Sequence, residues 1–364
     1  MHCHVCGYQN RAQAIACEAC GAQLNMSVLN KNMGILPSGT KLLNGVYEIK
    51  RVLGQGGFGI TYQAHDTRLS RPVALKEFFP EGCWREGTTV ISAGRWTSAT
   101  YTDAKDNFLQ EGKALGQFNH PGIVRVFYYF EENNTAYMVM EYLHGKSLAK
   151  LLQQRGGKMS EKESFFYIGK IAQALKIIHE GQFLHQDIKP DNVMLTDDDR
   201  VVLVDFGAAR DFAGKNKDTK FFTAMLTPGY APLEQYGQTL KMGAFTDVYA
   251  LGATLYHLLT GEIPTSAVER AAGVELKSIR ELNPNINPEI EQAIFKAMMM
   301  EAQQRSQSVE DFLSLLNKGK ASAIASDEKL HFYQSEQDPW TAFSPSKSHP
   351  NSSRSTANGS NQWF

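Results

Sequence analysis

Long hydrophobic runs are absent: nowhere do about 18 apolar residues follow one another, the length a membrane-crossing helix requires. The N-terminus carries Cys3, His4 and Cys6 where a secretory leader needs a basic start and an apolar stretch, so a cytoplasmic protein without a membrane span is expected. Excess charge is missing as well. Lys plus Arg number 37 against 38 Asp plus Glu, and no global field draws the chain to nucleic acid or to an anionic surface. Cysteine is scarce in the main body: Cys3, Cys6, Cys17 and Cys20 lie at the start and Cys83 stands alone. That excludes a disulfide framework, and in a reducing cytosol paired cysteines hold metal instead. No internal repeat of solenoid period occurs. What remains is ordinary for a folded protein, 42% apolar and 21% charged residues in a chain of 364, enough for one two-lobed enzyme with small appendages.

Residues 1–25 form a cysteine-rich unit, and 26–43 read as a linker containing Asn30, Asn32, Gly34, Pro37, Ser38 and Gly39 with little periodicity. From Tyr47 the pattern turns to short β-type runs, predicted over 47–53, 60–64, 73–78, 123–130 and 136–141, with one helical segment at about 103–118 among them. Past Leu148 the character changes to amphipathic helical stretches over 161–180, 246–259 and 288–302, with two short apolar strands near 193 and 202. A β-rich half (44–141) thus precedes a helix-rich half (144–317), an α+β arrangement. Residues 320–364 are dominated by Ser, Asn, Lys and Pro, a composition that buries too little surface to offset the entropy of ordering, and a disordered tail is expected there.

Gly54-Gln55-Gly56-Gly57-Phe58-Gly59 satisfies G-x-G-x-x-G, a weak signal by itself because dinucleotide sites, nucleotide flaps and plain turns share it. A dinucleotide site needs a helix directly after the glycines. Here Ile60-Thr61-Tyr62 is β-branched and aromatic, which favours a strand-turn-strand flap. A phosphate-binding P-loop ending at Gly145-Lys146-Ser147 fails, since Met140 stands where its first glycine belongs. Val73-Ala74-Leu75-Lys76 places a lysine on a β-type run where it could reach phosphate oxygens beneath the flap, and Glu111, in the middle of the helical segment, is the acidic residue that could hold it. The densest constellation is His185-Gln186-Asp187-Ile188-Lys189-Pro190-Asp191-Asn192 followed by Asp205-Phe206-Gly207. Asp187 could accept or orient the proton of an attacking hydroxyl, Lys189 could offset charge on a γ-phosphate, and Asn192 with Asp205 could hold magnesium through hard oxygen ligands.

From about residue 45 to 317 the order and spacing of these segments resemble the protein kinase superfamily, in its bacterial, eukaryotic-like serine/threonine branch. The resemblance implies a two-lobed kinase fold, transfer of the ATP γ-phosphate to Ser or Thr hydroxyls of protein substrates with Mg²⁺ (or Mn²⁺), and autophosphorylation; Thr219, Thr223 and Thr227 in the segment 205–234 are the candidate acceptors, with Thr227 ranked last because it is also implied to have a structural role. By the same resemblance Lys76, Glu111, Asp187 and Lys189 are catalytic. The nucleotide is bound by Leu53, Gly54, Gly56, Gly57, Phe58, Gly59, Thr61, Ala74, Lys76, Met140, Glu141, Leu143, Met194, Asn192 and Asp205. Met140 corresponds to the gatekeeper, the Glu141 carbonyl and Leu143 amide to the adenine hinge. Glu234 is implied to pair with Arg305, Asp247 to brace the catalytic loop, and Thr227 to sit near Asp187. Three departures stand out. Gln186 occupies the place where many regulated kinases have arginine, which removes the usual cationic pocket for a phosphorylated segment. Thr61 replaces the valine that covers adenine, and the stretch 77–101 is long for a connection between the lysine strand and the helix; it either caps the small lobe or regulates the helix, or forms an inert surface loop. A nucleotide-binding scaffold has no chemical need for Lys76, Asp187, Asn192 and Asp205 together.

At the N-terminus, Cys3-x-x-Cys6 and Cys17-x-x-Cys20 are each followed by glycine, Gly7 and Gly21. Four thiolates in two such knuckles suit a closed tetrahedral, structural Zn²⁺ site, and the unit resembles a small zinc ribbon. Arg11 is the sole Lys or Arg before Lys31, so docking to a protein is favoured over nucleic acid.

Overall fold

The computed structural model describes residues 34–57, 59–92, 94, 96–206, 210–211, 226–237 and 240–326. Cys3, Cys6, Cys17 and Cys20, expected above as zinc ligands, Phe58 of the glycine turn, Thr219 and Thr223, expected as acceptors, and residues 327–364 lie outside the described residues.

Chain order begins with β1 (Lys41–Leu42), β2 (Tyr47–Gln55), β3 (Gly59–Asp66) and β4 (Arg71–Phe78), then a hairpin of β5 (Trp84–Glu86) and β6 (Thr89–Ile91), helix α1 (Ser98–Leu115), and strands β7 (Val126–Glu132) and β8 (Thr135–Glu141). Six of these strands form one antiparallel sheet in the order β1-β2-β3-β4-β8-β7. Alternation dictates which face is dry: Ile60, Tyr62 and Ala64 of β3 are buried while Thr61 and Gln63 are less so. Central β4 is buried continuously from Val73 to Phe78, as a strand covered on both sides must be.

Helix α1 starts at Ser98, earlier than the periodicity of its apolar residues suggests. The Thr97 side chain accepts from the Thr100 amide and caps a first turn in which Ser98, Thr100 and Tyr101 are weaker helix formers than Ala99.

The second half contains β9 (Gly145–Ser147), α2 (Leu148–Gln154), α3 (Glu161–Glu180), β10 (Phe183–Leu184), a 3₁₀ turn at Pro190–Asn192, β11 (Val193–Thr196), β12 (Val201–Leu203) and β13 (Arg210–Asp211). Among the described residues, helices α4 (Leu233–Tyr236), α5 (Ala244–Thr260), α6 (Ala267–Ala271), α7 (Ile279–Leu282), α8 (Pro288–Ala297) and α9 (Val309–Ser326) follow, with a further 3₁₀ turn at Ala302–Gln304. The ends of α3 agree with the sequence reading because Ser160 and Glu163 form a reciprocal capping box. Helix α5 is buried without interruption from Thr246 to Tyr256, the pattern of a central helix, and it packs against α3 and α8. Gly252 permits a close approach to α8, since an added Cβ there would lie 2.9 Å from the Ala297 Cβ.

Two expectations need correction, and one open alternative is settled. The latter part of the supposed linker 26–43 is docked: Leu36 and Leu42 are buried, the Leu36 amide donates to the Tyr62 hydroxyl at 3.1 Å, and β1 pairs with β2. Pro37, Ser38 and Gly39 make a tight turn between two apolar anchors instead of a free connection, with Gly39 at φ +86°. At the other end α9 continues to Ser326, beyond the expected limit at 317, because Ala321, Ala323 and Ala325 favour helix. Of the readings left open for the stretch 77–101, the inert loop is ruled out, since Arg85, Val90, Trp96 and Tyr101 are buried.

Candidate active site

The glycine turn joins β2 to β3, and the Gly56 amide donates to the Gly59 carbonyl at 2.9 Å. Its glycines are required for different reasons. A Cβ on Gly59 would lie 2.1 Å from the Glu77 carbonyl oxygen, so strand packing demands glycine there. A Cβ on Gly54 or Gly56 would meet no protein atom within 4 Å, which leaves that side of the flap open to a ligand.

Beneath the flap, β4 holds Lys76 in register with Thr61 on one side and Met138 on the other. Its ammonium donates to Asp205 Oδ1 at 2.6 Å and lies 3.7 Å from Glu111 Oε1. Burial alone would depress the lysine, but the Asp205 and Glu111 carboxylates outweigh it and its pKa is raised. Glu111, buried on α1, is pushed up to about 7 by desolvation, against the pull of Lys76 and helped by repulsion from Asp205. Asp205 keeps about half of its side chain open (53%), and the Lys76 charge holds its carboxyl below the ordinary range. Its backbone sits at φ +62°, a left-handed conformation unusual for aspartate.

Asp187 follows β10 in a loop anchored from below. The fully buried Asp247, at the start of α5, accepts from the amides of His185 at 2.9 Å and Gln186 at 2.8 Å and bonds His179 Nε2 at 2.8 Å. Desolvation opposes its ionisation, yet His179, the His185 charge interaction and these donors lower its pKa overall. Gln186 takes φ +65°, and Gln235 Nε2 donates to its carbonyl at 2.8 Å. Both oxygens of Asp187 are engaged: Lys189 Nζ reaches them at 3.0 and 2.8 Å, and Asn192 Nδ2 donates to Oδ2 at 2.7 Å. The Thr227 hydroxyl donates to Asp187 Oδ1 at 2.8 Å while accepting from Lys189 Nζ at 2.7 Å. Asn192 is joined to the Asp205 segment because its carbonyl accepts the Val204 amide at 2.9 Å. Directing Nδ2 toward Asp187 turns the Asn192 amide oxygen away from it, and Asp205 retains an oxygen beyond the one that Lys76 takes. These are hard donors of the kind Mg²⁺ requires.

The apolar residues expected around a base come from four strands: Leu53 exposed on β2, Ala74 buried on β4, its register partner Met140 on β8, and Met194 half-buried on β11. Leu143 is half-buried just beyond β8, and the Glu141 side chain bonds Arg200 Nη2 at 2.7 Å.

The sequence pattern described as the protein kinase domain matches residues 47–323. The chain belongs to the protein kinase family. A probable serine/threonine-protein kinase of Clostridium acetobutylicum is 30% identical over 301 residues, covering 79% of this chain and 42% of that protein. Serine/threonine-protein kinase PrkC of Bacillus subtilis is 30% identical over 278 residues, 74% of this chain and 40% of the relative. The kinase therefore spans roughly two-fifths of the length of these curated relatives. A solved structure titled PpkA-294 apo form superposes with a TM-score of 0.64 at 33% identity, covering 78% of this chain and 99% of that one.

The kinase fold brings Lys76, Glu111 and Asp205 into one cluster and Asp187, Lys189, Asn192 and Thr227 into a second. Glu234, on α4, meets Arg305 in a buried two-pronged ion pair at 2.5 and 3.0 Å. Sequence reasoning missed the Glu77 carboxylate, one residue past Lys76, with its partners Arg85, Tyr62 and Tyr137. The available signal was a second charged residue in a strand otherwise apolar from Val73 to Phe78.

Proposed function

We propose that this kinase transfers the γ-phosphate of ATP to Ser or Thr hydroxyls of protein substrates, autophosphorylation included. The observation that carries the reading is the Thr227–Asp187–Lys189 contact, in which an aliphatic hydroxyl already donates to a carboxylate while a lysine ammonium sits on the same oxygen. An acceptor hydroxyl at that place would pass its proton toward Asp187, whose orientation Asn192 and Lys189 fix from both sides. Lys189 would then offset charge on the moving phosphoryl group, and Lys76, held by Glu111, would orient the nucleotide phosphates. Asn192 and Asp205 would hold Mg²⁺, which neutralises phosphate charge when bound. Leu53, Ala74, Met140 and Met194 would enclose the base, with Glu141 and Leu143 offering backbone groups to its edge.

Gln186 supplies no cation to a phosphorylated segment, so activity without phosphorylation of residues 205–234 is proposed. Cys3, Cys6, Cys17 and Cys20 are proposed to hold a structural Zn²⁺ in a ribbon that docks protein; their paired spacing supports this. Cytoplasmic placement remains part of the proposal. No helix among the described residues is long and apolar enough to cross a membrane.

The test is transfer from labelled ATP with Mg²⁺ to the kinase itself and to a generic Ser/Thr protein. Asp187→Asn should lower turnover by about 10²–10⁴-fold with the fold intact. Folded, nucleotide-binding wild type that labels nothing would turn the reading toward a scaffold.

A further inference from the structure

The long connection between β4 and α1 has a buried charge at its centre. Arg85 and Glu77 side chains are 2% and 0% exposed and meet at 2.7 Å. The Glu77 carboxylate also accepts from the Tyr62 hydroxyl of β3 at 3.0 Å and the Tyr137 hydroxyl of β8 at 2.9 Å, the strands on either side of β4. Lys76 and Glu77 are consecutive, so they leave β4 on opposite faces. Fastening Glu77 from three directions removes the freedom of β4 to slide or twist at the very residue that precedes it.

The same connection sets the other partner of Lys76. Phe78 packs on Tyr101 and Phe108 of α1 with ring centroids 5.4 and 5.8 Å apart, and Trp96, just before the helix, donates to the Glu81 carbonyl at 2.9 Å. Tyr101 donates to the Asn134 carbonyl at 2.9 Å, while the Asn134 side chain donates to the Val90 carbonyl of β6 at 2.8 Å. Hairpin, β7–β8 turn and helix are therefore one bonded unit. Arg85 completes it by donating to the Gly34 carbonyl from Nε at 3.1 Å and Nη2 at 2.9 Å, which ties the chain entering the lobe to the same carboxylate.

We propose that Arg85 is a positioning residue for phosphoryl transfer: acting through Glu77, it sets the separation of Lys76 and Glu111 and hence the grip on the nucleotide phosphates. The inference rests on the kinase reading above. The Lys76–Glu111 separation of 3.7 Å is longer than a hydrogen bond, so a small slip of β4 against α1 breaks it.

The test measures Kd for Mg-ATP directly, together with KM, kcat and melting temperature, in full-length Arg85→Met, Arg85→Lys and Tyr137→Phe. Arg85→Met is expected to weaken Kd and KM about tenfold, with kcat at saturating ATP changed far less. Arg85→Lys, which keeps a charge for Glu77, recovers part of that loss. Tyr137→Phe removes one bond to Glu77 without changing volume and weakens Kd by about two- to fourfold. Should Arg85→Met fail to fold, Tyr137→Phe decides the matter. Lowered melting temperature with Kd and KM unchanged at temperatures where the variants are folded would overturn the inference and leave a purely structural ion pair. Wild type that binds Mg-ATP but transfers nothing would refute the kinase reading while Kd still judges Arg85; wild type that binds no nucleotide would sink both.

Discussion

Arg305→Met should be among the most damaging single changes away from the nucleotide site. Arg305 and Glu234 side chains are 1% and 4% exposed, and the guanidinium covers both carboxylate oxygens. It also donates to the carbonyls of Met299 at 2.6 Å and Met300 at 3.1 Å. Methionine fills a similar volume, so the loss is electrostatic: a carboxylate stays buried without its cation and backbone acceptors lose their donors. Breaking one side of such a pair costs about 3–5 kcal/mol, a large fraction of the roughly 5–15 kcal/mol that holds a domain folded. At about 2–4 °C per kcal/mol, the melting temperature should fall by on the order of 10 °C. Calorimetry of Arg305→Met, Glu234→Met and the double variant forms a thermodynamic cycle. The double variant should be less destabilised than the sum of the singles, since it leaves no unpaired charge. Because Glu234 also accepts from the Thr246 hydroxyl at 3.1 Å, loosening it frees the segment that carries Thr227, and turnover should drop even at temperatures where the variant is folded. A single-variant loss below about 1 kcal/mol, or strict additivity, would refute the reasoning.

Two further outcomes separate folding from chemistry. With its carboxyl pushed up to about 7, Glu111 favours the protonated form in the folded state; its contribution to stability is present below the ordinary carboxylate range and lost as pH rises through about 7, while its charge becomes available to Lys76 only above that point. Affinity for Mg-ATP should therefore tighten between about pH 6 and pH 8, and Glu111→Gln should lack that limb and gain stability relative to wild type on the alkaline side; identical profiles for both proteins would contradict this. Gly59→Ala forces a methyl to 2.1 Å from a backbone oxygen and should cost about 1–3 kcal/mol, whereas Gly54→Ala meets nothing within 4 Å and should leave the melting temperature unchanged while altering nucleotide affinity. Equal melting losses in the two variants would show that the flap glycines share one role.

The catalytic loop was legible because its chemistry is local, with Asp187, Lys189 and Asn192 packed into a few residues. The Lys76–Asp205 contact spans 129 positions, and only the kinase resemblance connects them beforehand. Periodicity found the long helices and central strands. It failed at Leu36 and Leu42, isolated apolar residues whose burial depends on partners far along the chain, and at the start of α1, where a single Thr97 cap outweighs weak propensity. Arg85 was invisible for a similar reason: nothing adjacent to an arginine in a short hairpin declares that it will be buried.

The sheet order has a consequence for how the lobe is made. A ribosome releases β4 well before β8, and Glu77 lies 60 positions ahead of Tyr137 but only eight ahead of Arg85. The nascent strand has its counter-charge from the hairpin within reach while its neighbour in the sheet is still unsynthesised, so a short-range contact is available to neutralise this buried carboxylate before long-range pairing can begin.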